Sequence, residues 1–345
     1  MALKTIKLGK YPYTYARVSV MRSHLLRAED YHRLLKMSLS EVISFLQASQ
    51  YKKAIDELAV NHSGVELMEM ALNRNLVETW QKLKKISRKE VAMLINAYLR
   101  RADLWNVKTI LRGLHTGTKP EAMAAMLLPA GRLSKKELDN LIKSESVEDA
   151  IKKLGAEGIN AEMNQALEQH KAKNTLVDIE NYLDRTYYKA LIQFSRAIPS
   201  EGKLFRQFLE AEIEAINTMN ILRLRKAGME KHEAAKYVLG RPSQFVQGLL
   251  KADGKEETAK LLQQKVSGKA AESYISENTL AETELELGKS LLKRTALLLH
   301  QHPLTVDVIL GYMFAKEIEV KNLKLLLKAR QLSLSNEFAE QQLVM

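Results

Sequence analysis

Apolar residues recur at steps of three and four through most of the chain, and three segments repeat that pattern in register without a gap. They read YLRRADLWNVKTILR ending at Arg112, LEAEIEAINTMNILR ending at Arg223 and FAKEIEVKNLKLLLK ending at Lys328. Counting back four, eight and twelve from an asparagine gives Ala102, Tyr98 and Leu94, then Ile213, Leu209 and Phe205, then Ile318, Phe314 and Leu310. Steps of four mark one face of a helix. A polar signature is superposed on that face. An acidic residue precedes the asparagine by three (Asp103 and Asn106, Glu214 and Asn217, Glu319 and Asn322), and a cation follows it by six (Arg112, Arg223, Lys328). Two apolar residues stand just before each cation: Ile110 and Leu111, Ile221 and Leu222, Leu326 and Leu327. Shared apolar columns are expected of any amphipathic helices, but the same three polar offsets in three places indicate an internal repeat. The carboxylate and the asparagine share a helix face, so they are placed either to hydrogen-bond a neighbouring loop or helix end, fixing packing between lobes, or to meet a partner.

A second, smaller module alternates with the first. Ser38 to Ala54, Ser134 to Ala150 and Ser243 to Ala259 are each sixteen residues apart, with short amphipathic helices between and beyond. Ser38 and Ser134 are followed three residues later by Glu41 and Glu137, the pairing that closes a helix N-terminus, and Thr305 stands before another apolar run. Loops are predicted near 113–120, 155–160, 196–203 and 265–276. Nowhere does apolar and polar alternation bounded by hairpin turns persist. The order along the chain is small, long, small, long, small, long. The chain begins part-way through a unit and ends just after the third long helix, and Val20-Met21-Arg22 echoes Ile110-Leu111-Arg112. These patterns predict an all-α fold of three similar helical lobes with pseudo-threefold symmetry: 1–70 with 280–345, 71–165, and 166–279.

Composition narrows the chemistry. Only 15 glycines and 6 prolines occur in 345 residues, roughly half the usual share, which disfavours a turn-rich β architecture. There is no cysteine, so disulfides, thiolate zinc sites, iron–sulfur clusters and a cysteine nucleophile are excluded. The longest apolar runs, 122–131 and 308–315, are too short to span a bilayer. With 53 Lys and Arg against 41 Asp and Glu the formal net charge is +12, which favours anionic surfaces. The densest cationic run, Lys82, Lys84, Lys85, Arg88 and Lys89, reads as a solvated face or a basic contact patch. No aromatic residues interleave with it for base stacking, so nucleic acid is not expected.

The wording of three stretches resembles the C subunit of the archaeal and bacterial A/V-type ATP synthases, whose eukaryotic vacuolar counterpart is the d subunit. These are YPYTYARVSVMRSHLLRAEDYHRLL near the start, YLRRADLWNVKTILRG in the first long helix and LLPAGRLSKKELDNL after it. Beyond about residue 160 the likeness lies in repeat pattern and length. The resemblance implies a three-lobed helical funnel with a central cavity. That body sits on the cytoplasmic face of the membrane as a peripheral protein and joins the proteolipid ring (built of the K or c subunit) to the D and F subunits of the central shaft during ion-driven rotation. It also implies no catalytic, cofactor-binding or metal-binding residues. On the residues alone, a basic helical repeat scaffold binding peptide or RNA is the alternative.

Other motifs carry less. His232-Glu233-Ala234-Ala235-Lys236 begins like a zinc-binding helix but has lysine where the second histidine must stand, and His300-Gln301-His302 offers two imidazoles with no third ligand nearby. In Gly113-Leu114-His115-Thr116-Gly117-Thr118-Lys119 the glycines are too close for a phosphate loop and threonine precedes the lysine; both glycines are better read as ending the long helix.

Overall fold

A computed structural model describes residues 10–155, 160–196, 203–276, 279–300 and 303–345, and all its regular elements are helices. The first six are α1 (Pro12–Arg22), α2 (Ala28–Leu34), α3 (Leu39–Gln47), α4 (Lys52–Leu58), α5 (Gly64–Ile86) and α6 (Lys89–Thr116). There follow α7 (Pro120–Met126), α8 (Lys135–Ile142), α9 (Val147–Lys153), α10 (Ala161–Lys173), α11 (Val177–Arg196) and α12 (Lys203–Lys226). After α13 (Lys231–Ala234), continued by a 3-10 turn at Ala235–Tyr237, come α14 (Gln244–Lys251), α15 (Gly254–Leu262) and α16 (Gly268–Ser276). The chain ends with α17 (Ala281–His300), α18 (Val306–Gln331) and α19 (Asn336–Gln342).

The small modules are the helix pairs α3/α4, α8/α9 and α14/α15, and their starts follow from serine chemistry. Ser38 and Ser134 each accept the backbone N–H three residues on and are met in return by Glu41 and Glu137; Ser243 accepts the N–H of Val246. A hydroxyl or carboxylate oxygen satisfies donors that the first turn of a helix leaves open. Ala54, Ala150 and Ala259 are all buried, where a small residue lets the second helix of each pair lie close to its neighbours. The apolar columns of the long helices also turn inward. Tyr98, Leu94, Leu209, Leu310 and the pairs before each cation are buried, while Ile318 is half-buried.

Two compact units result. One comprises residues 1–69 with 195–345, the other 70–194. In the first, a cluster built on Ile221, Leu222, Val246, Leu249, Leu262 and Tyr274 joins α12 to α14, α15 and α16. The chain's two ends also meet there, with the Tyr11 N–H donating to the Leu304 carbonyl at 2.8 Å and α1 and α3 packing on α18. In the second unit, Ile110, Met123, Leu138 and Ile142 pack α6 on α7 and α8, and Leu111, Ile151, Met163 and Ile179 pack it on α9, α10 and α11. No described helix is long and apolar enough to cross a membrane.

Three local expectations need correction. The segment predicted as a loop over 265–276 contains α16: Ser267 Oγ accepts the Ala270 N–H, and burial of Ala270, Ala271 and Tyr274 stabilises a helix that its small and polar residues disguise. Residues 113–116 belong to α6, so only Gly117 ends that helix, with φ of 68° in the left-handed region. Gly113 lies inside it, where a Cβ would fall on the sulfur of Met123. Of the other predicted loops, 156–159 and 197–202 lie outside the described residues, as does His302.

Candidate functional site

Each signature asparagine is buried and grips one backbone residue with both ends of its amide. Asn106 Nδ2 donates to the Leu128 carbonyl and its Oδ1 accepts the Leu128 N–H, both at 2.7 Å. Asn217 treats Leu239 alike, at 3.0 and 2.7 Å, and Asn322 treats Val344 alike, at 2.8 and 3.0 Å. The gripped residue is 22 positions further on in all three. Leu128, Leu239 and Val344 each lie just beyond a short helical segment that follows a long helix. A primary amide presents a donor and an acceptor side by side, so it can satisfy the N–H and C=O of one residue that leaves helical conformation. Each clamp thereby ties the chain returning from a long helix back to that helix.

The carboxylates three residues earlier have three different settings. Asp103 accepts the backbone N–H groups of Arg132 at 2.7 Å and Leu133 at 3.0 Å, immediately before the Ser134 cap. Gly131 makes room for it, since a Cβ there would overlap the Asp103 carboxylate. Burial nevertheless pushes Asp103 above the ordinary carboxylate range, against the pull of those two N–H groups. Glu214 pairs with Lys265 at 2.8 Å and bonds Ser243, the cap of α14. Burial alone would push it up, but Ser243, Lys265 and Arg294 together hold it below its ordinary value.

Glu319 is the most enclosed of the three. Its Oε1 accepts from Tyr51 Oη at 2.5 Å, Lys316 Nζ at 2.8 Å and Gln50 Nε2 at 3.2 Å, and its Oε2 accepts the Leu26 N–H at 2.6 Å. Lys316 has no exposed surface; its ammonium also donates to Tyr51 Oη at 2.8 Å and lies 4.2 Å from the centre of that ring. Burial pulls the Lys316 ammonium down while Glu319 supports its charge, and burial followed by Glu319 pushes the Tyr51 phenol well up, so the phenol keeps its proton. This cluster fastens α18 to the stretch from Leu26 to Tyr51 at the other end of the chain. Sequence reasoning had not singled out Lys316, Tyr51, Gln50 or Leu26. The available signal was a lysine on a helix face that is otherwise apolar.

The signature cations face water and reach glutamates on other long helices. Arg112 holds Glu180 on α11 through two hydrogen bonds of 2.6 Å, beside Lys108 and Asp184 at 2.9 Å. Arg223 meets Glu284 on α17 at 2.7 Å, and Lys328 approaches Glu69 on α5 at 3.7 Å. The basic run occupies the end of α5 and the turn into α6. Lys82, Lys85 and Arg88 are exposed, Lys84 is half-buried, and none of these four has an ion-pair partner among the described residues; the Lys89 side chain lies outside them. The structure therefore brings each signature residue into a packing or ion-pair contact and gives the four described cations of the basic run no ion pair of that kind.

Buried amide clamps, capped helix pairs and cross-helix ion pairs, recurring in sequence order, define an all-helical repeat protein whose recognisable residues make their contacts within the chain, to backbone and side chains alike. Residues 14–342 match the ATP synthase (C/AC39) subunit family. The chain is 35% identical to the A-type ATP synthase C subunit of Methanococcoides burtonii, over 97% of this chain and 94% of that one. It is 34% identical to the A-type ATP synthase C subunit of Methanosarcina mazei (97% and 93%) and 32% identical to that of Haloquadratum walsbyi (96% and 97%). The chain belongs to the ATP synthase (C/AC39) subunit family.

Proposed function

We propose that this chain is a non-catalytic subunit of the central rotor of an A/V-type ATP synthase or ATPase. In this reading it sits peripherally on the cytoplasmic side of the membrane and couples the proteolipid ring to the D and F subunits of the central shaft. The observation that carries the proposal is the likeness to the C subunit of A-type ATP synthases over nearly the whole length of both chains. The three-lobed funnel, with lobes at 1–70 plus 280–345, 71–165 and 166–279, belongs to the same proposal.

The internal contacts support it physically. A part that transmits torque must not yield between its two attachment points, and close-packed helices resist deformation where flexible linkers do not. Each buried clamp ties a returning segment to its long helix, and the Lys316–Glu319–Tyr51 cluster holds the two ends of the chain together. The signature residues then serve the stiffness of the body, leaving its outer faces for partners.

The test is a pull-down of the purified chain with the D and F shaft subunits, with the detergent-solubilised proteolipid ring, and with both together. A ternary complex is the expected result. Failure to bind either partner, each shown to be competent, would overturn the proposal and turn attention to peptide or RNA ligands.

A further inference from the structure

The three stretches of sequence that lead into the long helices α6, α12 and α18 differ sharply in charge. Residues 81–90 (QKLKKISRKE) hold five cations and one carboxylate; the matching 192–201 (IQFSRAIPSE) hold Arg196 and Glu201; the matching 297–306 (LLLHQHPLTV) hold no Lys, Arg, Asp or Glu. Helix-end chemistry does not account for the excess. A cation near a helix C-terminus is favoured by the exposed carbonyls there. Lys85, one residue before the end of α5, meets that need there, and Arg196 and His300 are the last residues of α11 and α17. Lys82, Lys84, Arg88 and Lys89 remain unexplained by any such requirement.

Nor does the fold neutralise them. The nine signature residues find partners, whereas Lys82, Lys84, Lys85 and Arg88 have no ion pair among the described residues. Lys82 and Lys85 stand three apart on one exposed face of the last turns of α5, and exposed Arg88 follows two residues beyond the end of that helix. The run is mainly lysine. Lysine is a compact point charge without the planar fork that arginine offers to a single carboxylate or phosphate, and it suits a surface carrying many diffuse negative charges. No aromatic side chain stands within the run to stack a base. Clusters of four or more such cations gain roughly 1 kcal/mol each near an anionic bilayer.

We infer that the α5–α6 turn, through Lys82, Lys84, Lys85 and Arg88, is a docking surface for the anionic headgroups of a lipid bilayer. This rests on and extends the membrane-side reading above by naming which part of the chain meets lipid, and it sets the segment leading into α6 apart from those leading into α12 and α18.

The test measures sedimentation of the full chain with phosphatidylcholine vesicles, with and without phosphatidylglycerol, at low and high salt. The parent chain should bind only the phosphatidylglycerol vesicles and be released by salt. The combined variant Lys82→Gln, Lys84→Gln, Lys85→Gln, Arg88→Gln should bind at least about tenfold more weakly. A control, Lys135→Gln, Lys136→Gln, Lys143→Gln, Lys152→Gln, removes the same charge from other exposed positions and should stay within about twofold of the parent. Equal losses in both variants, or no preference of the parent for phosphatidylglycerol, would overturn the inference. So would release from the vesicles by soluble polyglutamate at matched charge, which would assign the surface to an acidic protein. Pull-down of the first variant with ring and shaft separates the two proposals. Retained ternary complex with lost vesicle binding is the expected pair of results, whereas a parent that binds vesicles but neither partner overturns the coupling role alone.

Discussion

In α6 and α18 the signature asparagine makes the same two hydrogen bonds, yet the carboxylate three residues before it lives in unlike surroundings. Asn106 and Asn322 each address one backbone N–H and one C=O, groups that Leu128 and Val344 supply regardless of side chain. Asp103 reaches two backbone N–H groups near the surface, whereas Glu319 is buried with a lysine, a tyrosine and a glutamine. An interaction aimed at the backbone survives divergence between repeats, because only one side of it depends on residue identity. An interaction between side chains is rebuilt in each copy.

The sharpest way to break the comparison is at the buried charge. Glu319→Gln leaves the Lys316 ammonium with no counter-charge in an unexposed site, and removing one partner of a buried pair typically costs about 3–5 kcal/mol. Replacing both, Lys316→Met with Glu319→Gln, should recover a large part of that loss, because the penalty belongs to the stranded charge. Denaturant unfolding of the two single variants and the double variant measures the coupling. Strict additivity would show that Lys316 and Glu319 do not act as a pair.

The clamps should respond more uniformly. Asn106→Leu, Asn217→Leu and Asn322→Leu each strip two bonds from one backbone residue, with an expected cost of about 1–3 kcal/mol apiece. Unfolding midpoints check the size, and amide exchange at Leu128, Leu239 and Val344 checks the place. A midpoint unchanged in any of the three would show that its asparagine is dispensable for the fold.

Protonation distinguishes the carboxylates more gently. Asp103 is held above its ordinary 3.8, so the folded state binds its proton more tightly and stability from this group falls as pH rises through 3.8 toward the raised value. Glu214 is held below its ordinary 4.5, so its contribution is present above 4.5 and is lost as pH falls through the lowered value. Asp103→Asn should therefore make stability climb more steeply with pH across this range, and Glu214→Gln should make it climb less. Midpoints measured from pH 3 to 6 give both slopes (about one pH unit either side of the two ordinary values), and a change of the same sign in both variants would contradict the two environments.

How much of this was legible beforehand depends on whether the signal sat in one residue or in a pair. Ser38 and Ser134 announced their helices because a cap is local, and the three asparagines announced themselves by equal spacing from a carboxylate and a cation. Their partners at Leu128, Leu239 and Val344 were invisible, since a backbone N–H and C=O carry no letter in the sequence. The Lys316 cluster was invisible for another reason: Tyr51 and Lys316 are 265 residues apart and acquire meaning only when the chain's ends meet. Helix α16 was hidden by Ser267 and Gly268, which suggest a loop until Ala271 and Tyr274 are seen to be buried.

The cations offer the smallest effects and the finest comparison. Arg112 grips Glu180 through two bonds of 2.6 Å, while Lys328 reaches Glu69 only at 3.7 Å, and both cations are more than half exposed. Exposed pairs contribute about 0–1 kcal/mol, with two-point arginine geometry at the upper end. Arg112→Ala should thus cost up to about 1 kcal/mol, diminishing as salt is added, and Lys328→Ala should fall within about 0.3 kcal/mol of no change. Arg112→Lys is the discriminating variant: it keeps the charge but loses the fork, so it should behave like the alanine variant if geometry carries the interaction. Full retention of stability would instead show that charge alone suffices, and that the first and third copies differ only in the distance between their partners.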